Sequence, residues 1–521
     1  MGIPSYYKRL IDRYPKLMQK YASGIQSHVL LMDFNCLIYQ CVRGDSIPKY
    51  SEETRDAWEY AVLDAVKAYT LKVWQTAGKP RQVFIGVDGV VPMAKIRQQR
   101  LRRFKSRWMA AKELEAGVRK PNEEAWDTNA ITPGTEFMEK LARALRSLAS
   151  SHPGWTVSAA DEAGEGEQKL MAWVREHRDE LTGKRVIVYG LDADLIVLSL
   201  IGVAREVPGV LEWKLMRELA EFQGGRAEGG VFGTLDVLEL LKVLCPYGMT
   251  AAEYVMEYTC AMSFLGNDFL PHSLSVKMRD GGHDLMRIAL SDIHAAGKRL
   301  VREGQVQRDG CAELIRKWAL EEEEAIGTSF EHKYTMRIQP PRNDRERLMR
   351  STENLPLEWQ EENSIWRKGE GMVGSWRETY RAKWLYSAPA SQVTGEYIKG
   401  LQWIVDYYLG KPVSYSWYFP WNVPPLWEDL LAAFKGGVTP IAAPPPSSPV
   451  TPQEQLAMVL PMGSWKLVRD SKYKMLPFKA PIYWPSDFAF FSVGRRWLWE
   501  CEAQIPILTA ERMRQLLPPS T

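Results

Sequence analysis

The sequence predicts an α/β protein: a mainly parallel central sheet flanked by helices, followed by an aromatic-rich carboxyl-terminal region. Three observations predict it. From residue 28 to about residue 270, short apolar runs alternate with amphipathic stretches, as crossover helices between parallel strands require. Three of the runs end in acids, HVLLMDFN at Asp33, RQVFIGVDG at Asp88 and KRVIVYGLDADLIVL at Asp192 and Asp194. The 20 Trp and 22 Tyr concentrate in the carboxyl-terminal third, in GLQWIVDYY, SYSWYFPW and RRWLWE. Most of these rings are expected in the core because aromatic side chains bury large areas, with one or two left to stack on bases.

A chain of 521 residues predicts two or more packed regions. Residues 1–290 are read as the core region that carries the acids. Residues 291–392 read as a mainly helical connecting segment with polar interruptions, and 393–521 as a second region. Within the second region, a Pro-rich strap at 439–452 must be extended, because proline denies helix and ladder hydrogen bonds. The Gly-rich piece from Gln223 to Gly233 reads as a surface loop, and the acidic run Glu321 to Glu324 as a solvated helix face.

Hydrophobic residues at 45% and charged residues at 25% are the proportions of a folded, soluble chain. The 67 Lys and Arg against 64 Asp and Glu leave a formal charge of only +3, so nucleic-acid binding requires local segregation of charge. The six cysteines form no C-x-x-C pair and the seven histidines are scattered, which argues against zinc and a disulfide framework and for a reducing interior. MGIPSYYKRL lacks the apolar core of a signal peptide, Tyr6 stands where myristoylation of Gly2 wants Ser or Thr, and no stretch is long enough to span a membrane. An intracellular protein off the membrane is expected, cytoplasmic before nuclear.

In open α/β sheets ligands bind in the crevice beyond the carboxyl ends of the strands, so three strands would deliver Asp33, Asp88, Asp192 and Asp194 to one place. EAGEGEQKLMAWVRE adds Glu165 and Glu167 at the start of a helix, with Gly166 letting the backbone approach closely. MSFLGNDFLPH adds Asp268 between apolar runs, where an isolated buried acid is costly unless paired or bound to metal. A single such acid is more often a helix cap or a strand-end turn. Seven together repel one another unless cations neutralise them, and an all-oxygen set points to Mg²⁺ or Mn²⁺. Two ions about 3.5–4 Å apart orient and activate a water against a phosphodiester.

Between Lys95 and Arg107, KIRQQRLRRFKSR carries seven basic residues and no acid. On a helix, Lys95, Gln99, Arg102 and Arg103 fall at i, i+4, i+7 and i+8 and share one face. Such a face suits a terminal phosphate beside the metal site, a general phosphate-backbone track or plain solvation, and periodicity alone leaves all three open.

In these motifs the chain resembles the XRN family of 5′→3′ exoribonucleases, relatives of the flap endonucleases. The likeness covers most of the chain. It is carried by MGIPSYYKRLIDRYP, MDFN, VDGVVPMAKIRQQRLRRF, NAITPGTEFM, GEGEQK, YGLDADLIVLSL and FLGNDFLPH, and later by YIKGLQWIVDYYLGKPVSYSWYFPW, PQEQLAMVLP, PIYWPSDF and RRWLWECEAQIPIL. The resemblance implies a PIN/flap-nuclease-like core, with the aromatic-rich region packed around the active site. It implies two Mg²⁺ ions, with Mn²⁺ as a substitute, on Asp33, Asp88, Glu165, Glu167, Asp192, Asp194 and Asp268, which also act as the catalytic set. It implies a 5′-monophosphate pocket at Lys95, Gln99, Arg102 and Arg103, which excludes capped or triphosphorylated ends. Base stacking would fall to Trp417 and to Tyr39, which stands where the family has histidine, as Gln168 does after GEGE.

What the resemblance implies as activity is processive hydrolysis of single-stranded RNA bearing a 5′-monophosphate to nucleoside 5′-monophosphates, by a monomer. Relative to cellular cytoplasmic members, the extra carboxyl-terminal domains are expected to be lacking, and the segment from Arg103 to Asn129, a projecting helix in the family, is short. Two other readings compete. A flap-type structure-specific endonuclease shares the sheet and acids but lacks the second region; a non-catalytic RNA-binding decay factor requires lost ligands, and all seven acids are in place.

Overall fold

Seven strands make the central sheet of the computed structural model, which describes residues 6–20, 24–44, 47–118, 124–219, 231–246, 248–337 and 340–517. They are β1 (Met18–Gln19), β2 (Val29–Asp33), β3 (Gln82–Gly86), β4 (Trp155–Ser158), β5 (Arg185–Tyr189), β6 (Glu212–Glu218) and β7 (Phe232–Asp236), in the order β1-β7-β6-β5-β2-β3-β4. Strands β2 to β6 run parallel, whereas β7 pairs antiparallel with β6 and β1 with β7. The expected mainly parallel sheet is therefore present, with an antiparallel edge that apolar periodicity could not distinguish.

Strand β2 reads VLLMD and is buried along its whole length, as a strand covered on both faces must be. Alternate residues divide between two apolar cores. Val29 and Leu31 join the first, with Val186 and Val188 of β5, whereas Leu30 and Met32 join the second, with Ile187 and Tyr189. The carboxyl-terminal region contributes to both. Tyr397, Leu401 and Trp403 from the helix Ala390–Tyr408 enter the first core, and Leu456, Met458 and Tyr473 enter the second.

The Pro-rich strap crosses from one core to the other. Ile441 is buried in the first, and the helix Pro452–Val459 is buried in the second. Residues 440–451 form neither helix nor strand, as their prolines require. Ser447 Oγ accepts the N–H groups of Tyr415 and Ser416 at 2.9 and 3.2 Å, and Thr451 caps the following helix through a capping box.

The basic run forms the helix Met93–Glu115, and its cations face several ways. Arg100 is fully buried and donates to the carbonyls of Met458, Tyr483 and Pro506. Burial pushes its guanidinium down to about 9. The helix is therefore a spine joining the two parts of the chain as well as a basic surface.

Two sequence readings are corrected. The acidic run is a solvated face only in part: Glu321, Glu323 and Glu324 are exposed, but Glu322, in the first turn of the helix Glu322–Thr335, is buried and accepts the N–H of Trp427 with both carboxylate oxygens, at 3.1 and 3.0 Å. Glu323 accepts from Trp376 Nε1 at 2.9 Å and Arg377 Nη1 at 2.8 Å. The donors lie 53 to 105 residues away, out of reach of a local charge pattern. Of the Gly-rich piece, residues 223–230 lie outside the described residues, as do 1–5 of the opening motif, and Phe232 and Gly233 belong to β7. Gly233 fits there because a β-carbon would meet Leu219 Cδ2 at 2.6 Å.

Candidate metal and nucleic-acid site

Strand ends assemble the acids. Asp33 is the last residue of β2 and pairs with Gly86, the last of β3, so Asp88 stands two residues beyond the neighbouring strand end. Asp192 follows β5 on the other side of β2, and Asp194 opens the helix Asp194–Ile201. Glu165 is the N-cap of the helix Gly166–Glu176, with Glu167 in its first turn. Asp268 lies in the turn after the helix Ala251–Ser263.

Close backbone approach brings the helix start onto the strand ends. Gly166 N–H donates to Asp88 Oδ1 at 2.7 Å. A β-carbon on Gly166 would sit 2.6 Å from Asp33 Oδ1 and 2.9 Å from the Gly86 carbonyl, so only glycine fits. Asn35 orients Asp88 from the opposite side, donating to Oδ2 at 2.8 Å and accepting the Asp88 N–H at 3.1 Å. As a result Asp33, Asp88 and Glu167 each offer a carboxylate oxygen within 4.8 Å of the others, a group that can hold a metal ion.

The acids form two halves around Lys95. The buried Lys95 ammonium lies 2.6 Å from both Glu165 Oε2 and Asp268 Oδ2. Glu165 Oε1 accepts from Tyr407 Oη at 2.6 Å, and Asp268 Oδ1 from Gln98 Nε2 at 3.1 Å. Burial alone would raise Asp268, but Lys95 holds its carboxyl below the usual range. Burial alone would likewise lower Lys95, and Asp268 and Glu165 instead hold it well above the ordinary lysine value.

Lys95 also pulls on Asp33, Glu167 and Asp194, but there burial and the neighbouring carboxylates outweigh it. Burial, then the charges of Asp88 and Asp192, push Asp33 well up. Burial, then Glu165 and Asp33, do the same to Glu167, and burial followed by Asp268 raises Asp194 to about 7. Asp194 Oδ1 is buried without a hydrogen-bond partner among the described residues. Crowded oxygen-only carboxylates with raised affinity for protons are the donor set that a hard divalent cation satisfies.

A cavity of about 930 Å³ opens over this cluster. Asp33, Asp88, Glu165, Glu167 and Asp192 line it together with Lys95, Gln99, Arg102 and Arg103, whereas Asp268 and Asp194 are not on its wall. Arg103 is buried and donates to Thr132 Oγ1; burial pushes it down to about 10. Tyr39 is on the cavity wall, with the Arg43 guanidinium 5.6 Å from its ring centroid.

Trp417 is elsewhere. It is 7% exposed, its indole packs on Gly400 and Trp403, and its Nε1 donates to Glu396 at 3.0 Å. Tyr415, two residues earlier, approaches more closely: its carbonyl accepts the Met93 N–H at 2.8 Å, and burial and then the Glu165 charge raise its phenol. Sequence reasoning missed Asn35, Tyr407 and Tyr415. The MDFN motif contains Asn35, but nothing local links Tyr407 to an acid 242 residues away.

Comparison with known proteins points to one family. Residues 1–211 match the family described as XRN 5′-3′ exonuclease N-terminus, and residues 375–518 match the Xrn1 helical domain. The chain is 28% identical to the 5′-3′ exoribonuclease 1 of Homo sapiens, over 99% of this chain and 34% of the relative. It is 26% identical to the 5′-3′ exoribonuclease 2 of Gallus gallus, over 99% of this chain and 70% of the relative. A third relative, the 5′-3′ exoribonuclease 2 of Candida glabrata, is 30% identical over 55% of this chain and 34% of its own length. The chain thus spans about a third of the human relative and most of the chicken one. Among the described residues, no helix is long and apolar enough to cross a membrane.

Proposed function

The chain belongs to the XRN family of 5′→3′ exonucleases, and from that premise we propose that it degrades 5′-monophosphorylated single-stranded RNA from its 5′ end, releasing nucleoside 5′-monophosphates. One observation carries the reading: the carboxylates of Asp33, Asp88 and Glu167, within 4.8 Å of one another, share a single cavity with Lys95, Gln99, Arg102 and Arg103. Divalent chemistry and recognition of a terminal phosphate would then meet one nucleotide apart.

Asp33, Asp88, Glu165, Glu167, Asp192, Asp194 and Asp268 would hold two Mg²⁺ ions, or Mn²⁺ in their place. When bound, such ions orient a water for in-line attack on phosphorus and stabilise the departing oxygen. Asn35 and the Gly166 N–H keep the Asp88 carboxylate aimed at the cluster, and Tyr407 does the same for Glu165. Arg102 and Gln99 would orient the 5′-phosphate by directed hydrogen bonds. Lys95 would exchange Glu165 and Asp268 for that phosphate once divalent ions neutralise the acids. Breaking the bond to the 3′ oxygen of the first nucleotide leaves a new 5′-monophosphate on the second, which is the end the cavity accepts for the next round.

The carboxyl-terminal region supports an exonuclease over a flap-type endonuclease, because Tyr407 and the Tyr415 carbonyl bring it against the acids and the basic helix. The test is a comparison of linear 5′-monophosphorylated RNA with a circle of the same sequence in Mg²⁺. The reading expects loss of the linear form alone; equal cleavage of the circle would refute it.

A further inference from the structure

A second pocket lies beside the acid-lined cavity and shares part of its wall. Arg102 and Trp499 border both, and Asp268, on the wall of the second, is bonded to Lys95 on the wall of the first. The pocket has a volume of about 170 Å³. That is too small for a whole nucleotide but ample for a phosphate and part of a ribose. Trp499 is 42% exposed at its edge, with the Arg279 guanidinium 5.4 Å from its ring centroid.

The pocket is unusually rich in cations without carboxylate partners. Three of its four acids are committed, Asp268 to Lys95, Glu500 to Arg279 and Glu502 to Arg97, and the fourth, Asp280, lies close enough to Lys277 to offset part of the effect of its burial. Five of its cations, Arg102, Lys105, Lys277, Arg495 and Arg496, form no ion pair among the described residues. Lys105 is held by the carbonyls of Trp499 and Cys501, both at 2.7 Å. Lys277 is held by Ser329 Oγ at 2.7 Å and the Gly494 carbonyl at 2.9 Å. Arg495 Nε and both Nε and Nη2 of Arg496 are buried with no hydrogen-bond partner among the described residues, and Arg496 is only 3% exposed. Burial, then the Arg495 charge, pushes the Lys277 ammonium down to about 8. Buried guanidinium donors without acceptors are costly, and a dianion would satisfy them.

We infer that this pocket takes the 5′-phosphate of a nucleoside monophosphate, the product of the reaction, with its base left outside at the mouth. The inference rests on the functional reading above. The pocket is cationic and borders the wall of the cavity in which that product would form. The phosphate would meet Arg495, Arg496 and Lys277 inside, and the base would remain at the mouth against Trp499.

The experiment is adenosine 5′-monophosphate binding, by calorimetry in EDTA, to protein saturated with a 5′-phosphorylated oligoribonucleotide. The oligonucleotide fills the first cavity, so further binding reports the second. One equivalent of the monophosphate is expected to bind and adenosine to bind much more weakly. Arg495→Ala should lose at least about tenfold in affinity and Arg495→Lys should retain most of it, with unchanged melting temperatures and unchanged single-turnover cleavage. Uptake of adenosine as strong as that of the monophosphate, no uptake by RNA-saturated protein, or full affinity in Arg495→Ala would each overturn the inference. A chain that degrades RNA but shows one of those results loses only the pocket. A chain that binds the monophosphate through Arg495 yet degrades no RNA loses the functional reading.

Discussion

Lys95 and Asp268, 173 residues apart in sequence, are joined by a 2.6 Å ion pair in which both side chains are nearly removed from solvent. The same ammonium touches Glu165, so the basic helix supplies the charge that keeps one half of the acidic cluster stable when no other cation is present. Lys95→Met leaves two buried carboxylates uncompensated, which costs about 3–5 kcal/mol. The variant is expected to melt well below the wild type in EDTA and to recover more on adding Mg²⁺ than the wild type gains. Equal Mg²⁺ increments in the two proteins would show that Lys95 and divalent ions do not share these carboxylates.

Asp192→Ala and Asp88→Asn are expected to lower turnover by roughly 10²–10³-fold or more. Binding of 5′-phosphorylated RNA should persist, because Gln99, Arg102 and Arg103 remain. Filter binding alongside single-turnover cleavage checks this, and a proportionate loss of both would mean that these acids act on the fold.

Gly166→Ala is a steric test of how the cluster is built. Its β-carbon would meet Asp33 Oδ1 at 2.6 Å and the Gly86 carbonyl at 2.9 Å. Overpacking of this kind costs about 1–3 kcal/mol, and the displaced carboxylate should weaken Mg²⁺ binding at least tenfold. Denaturant unfolding and Mg²⁺-dependent melting measure the two effects separately. An alanine protein with native Mg²⁺ dependence would mean that the close approach is unnecessary.

Stability should depend on pH through Glu322. Burial raises this carboxyl to about 8 from its ordinary 4.5, so between these values the native state holds a proton that the unfolded chain releases. The contribution of Glu322 therefore falls as pH rises from 4.5 to 8. His272 and His283 work in the opposite sense: burial pushes both down to about 4 from 6.5, so stability is lost as pH falls through that interval. Urea unfolding of wild type and Glu322→Gln between pH 6.5 and 8 isolates the glutamate. The difference between the two proteins should shift towards Gln as pH rises, and a pH-independent difference would contradict the assignment.

The acids were legible in the sequence because each sits at a position that topology fixes: Asp33 and Asp88 at the ends of neighbouring parallel strands, Glu165 at a helix start. Lys95, Gln99, Arg102 and Arg103 were legible as one face because helical spacing aligns them, and all four border the cavity. What lay hidden depended on contacts between distant segments. Lys95 bonds two acids, Arg100 is an internal strut, Glu322 is buried under Trp427, and Tyr407 reaches Glu165 from the second region. Trp417 shows the same limit, since its motif says nothing of whether the indole faces a cavity or the core.

The central claim is that one cavity couples divalent-ion chemistry to a phosphate socket, and it is tested most directly with labelled RNAs of one sequence bearing 5′-monophosphate or 5′-hydroxyl ends. Each is followed in Mg²⁺ and in EDTA, with wild type and Arg102→Ala. The account predicts mononucleotide release that requires Mg²⁺, strongly favours the monophosphate end in the wild type, and loses most of that preference in Arg102→Ala. Cleavage in EDTA, or an equal loss on both ends in Arg102→Ala, would contradict it.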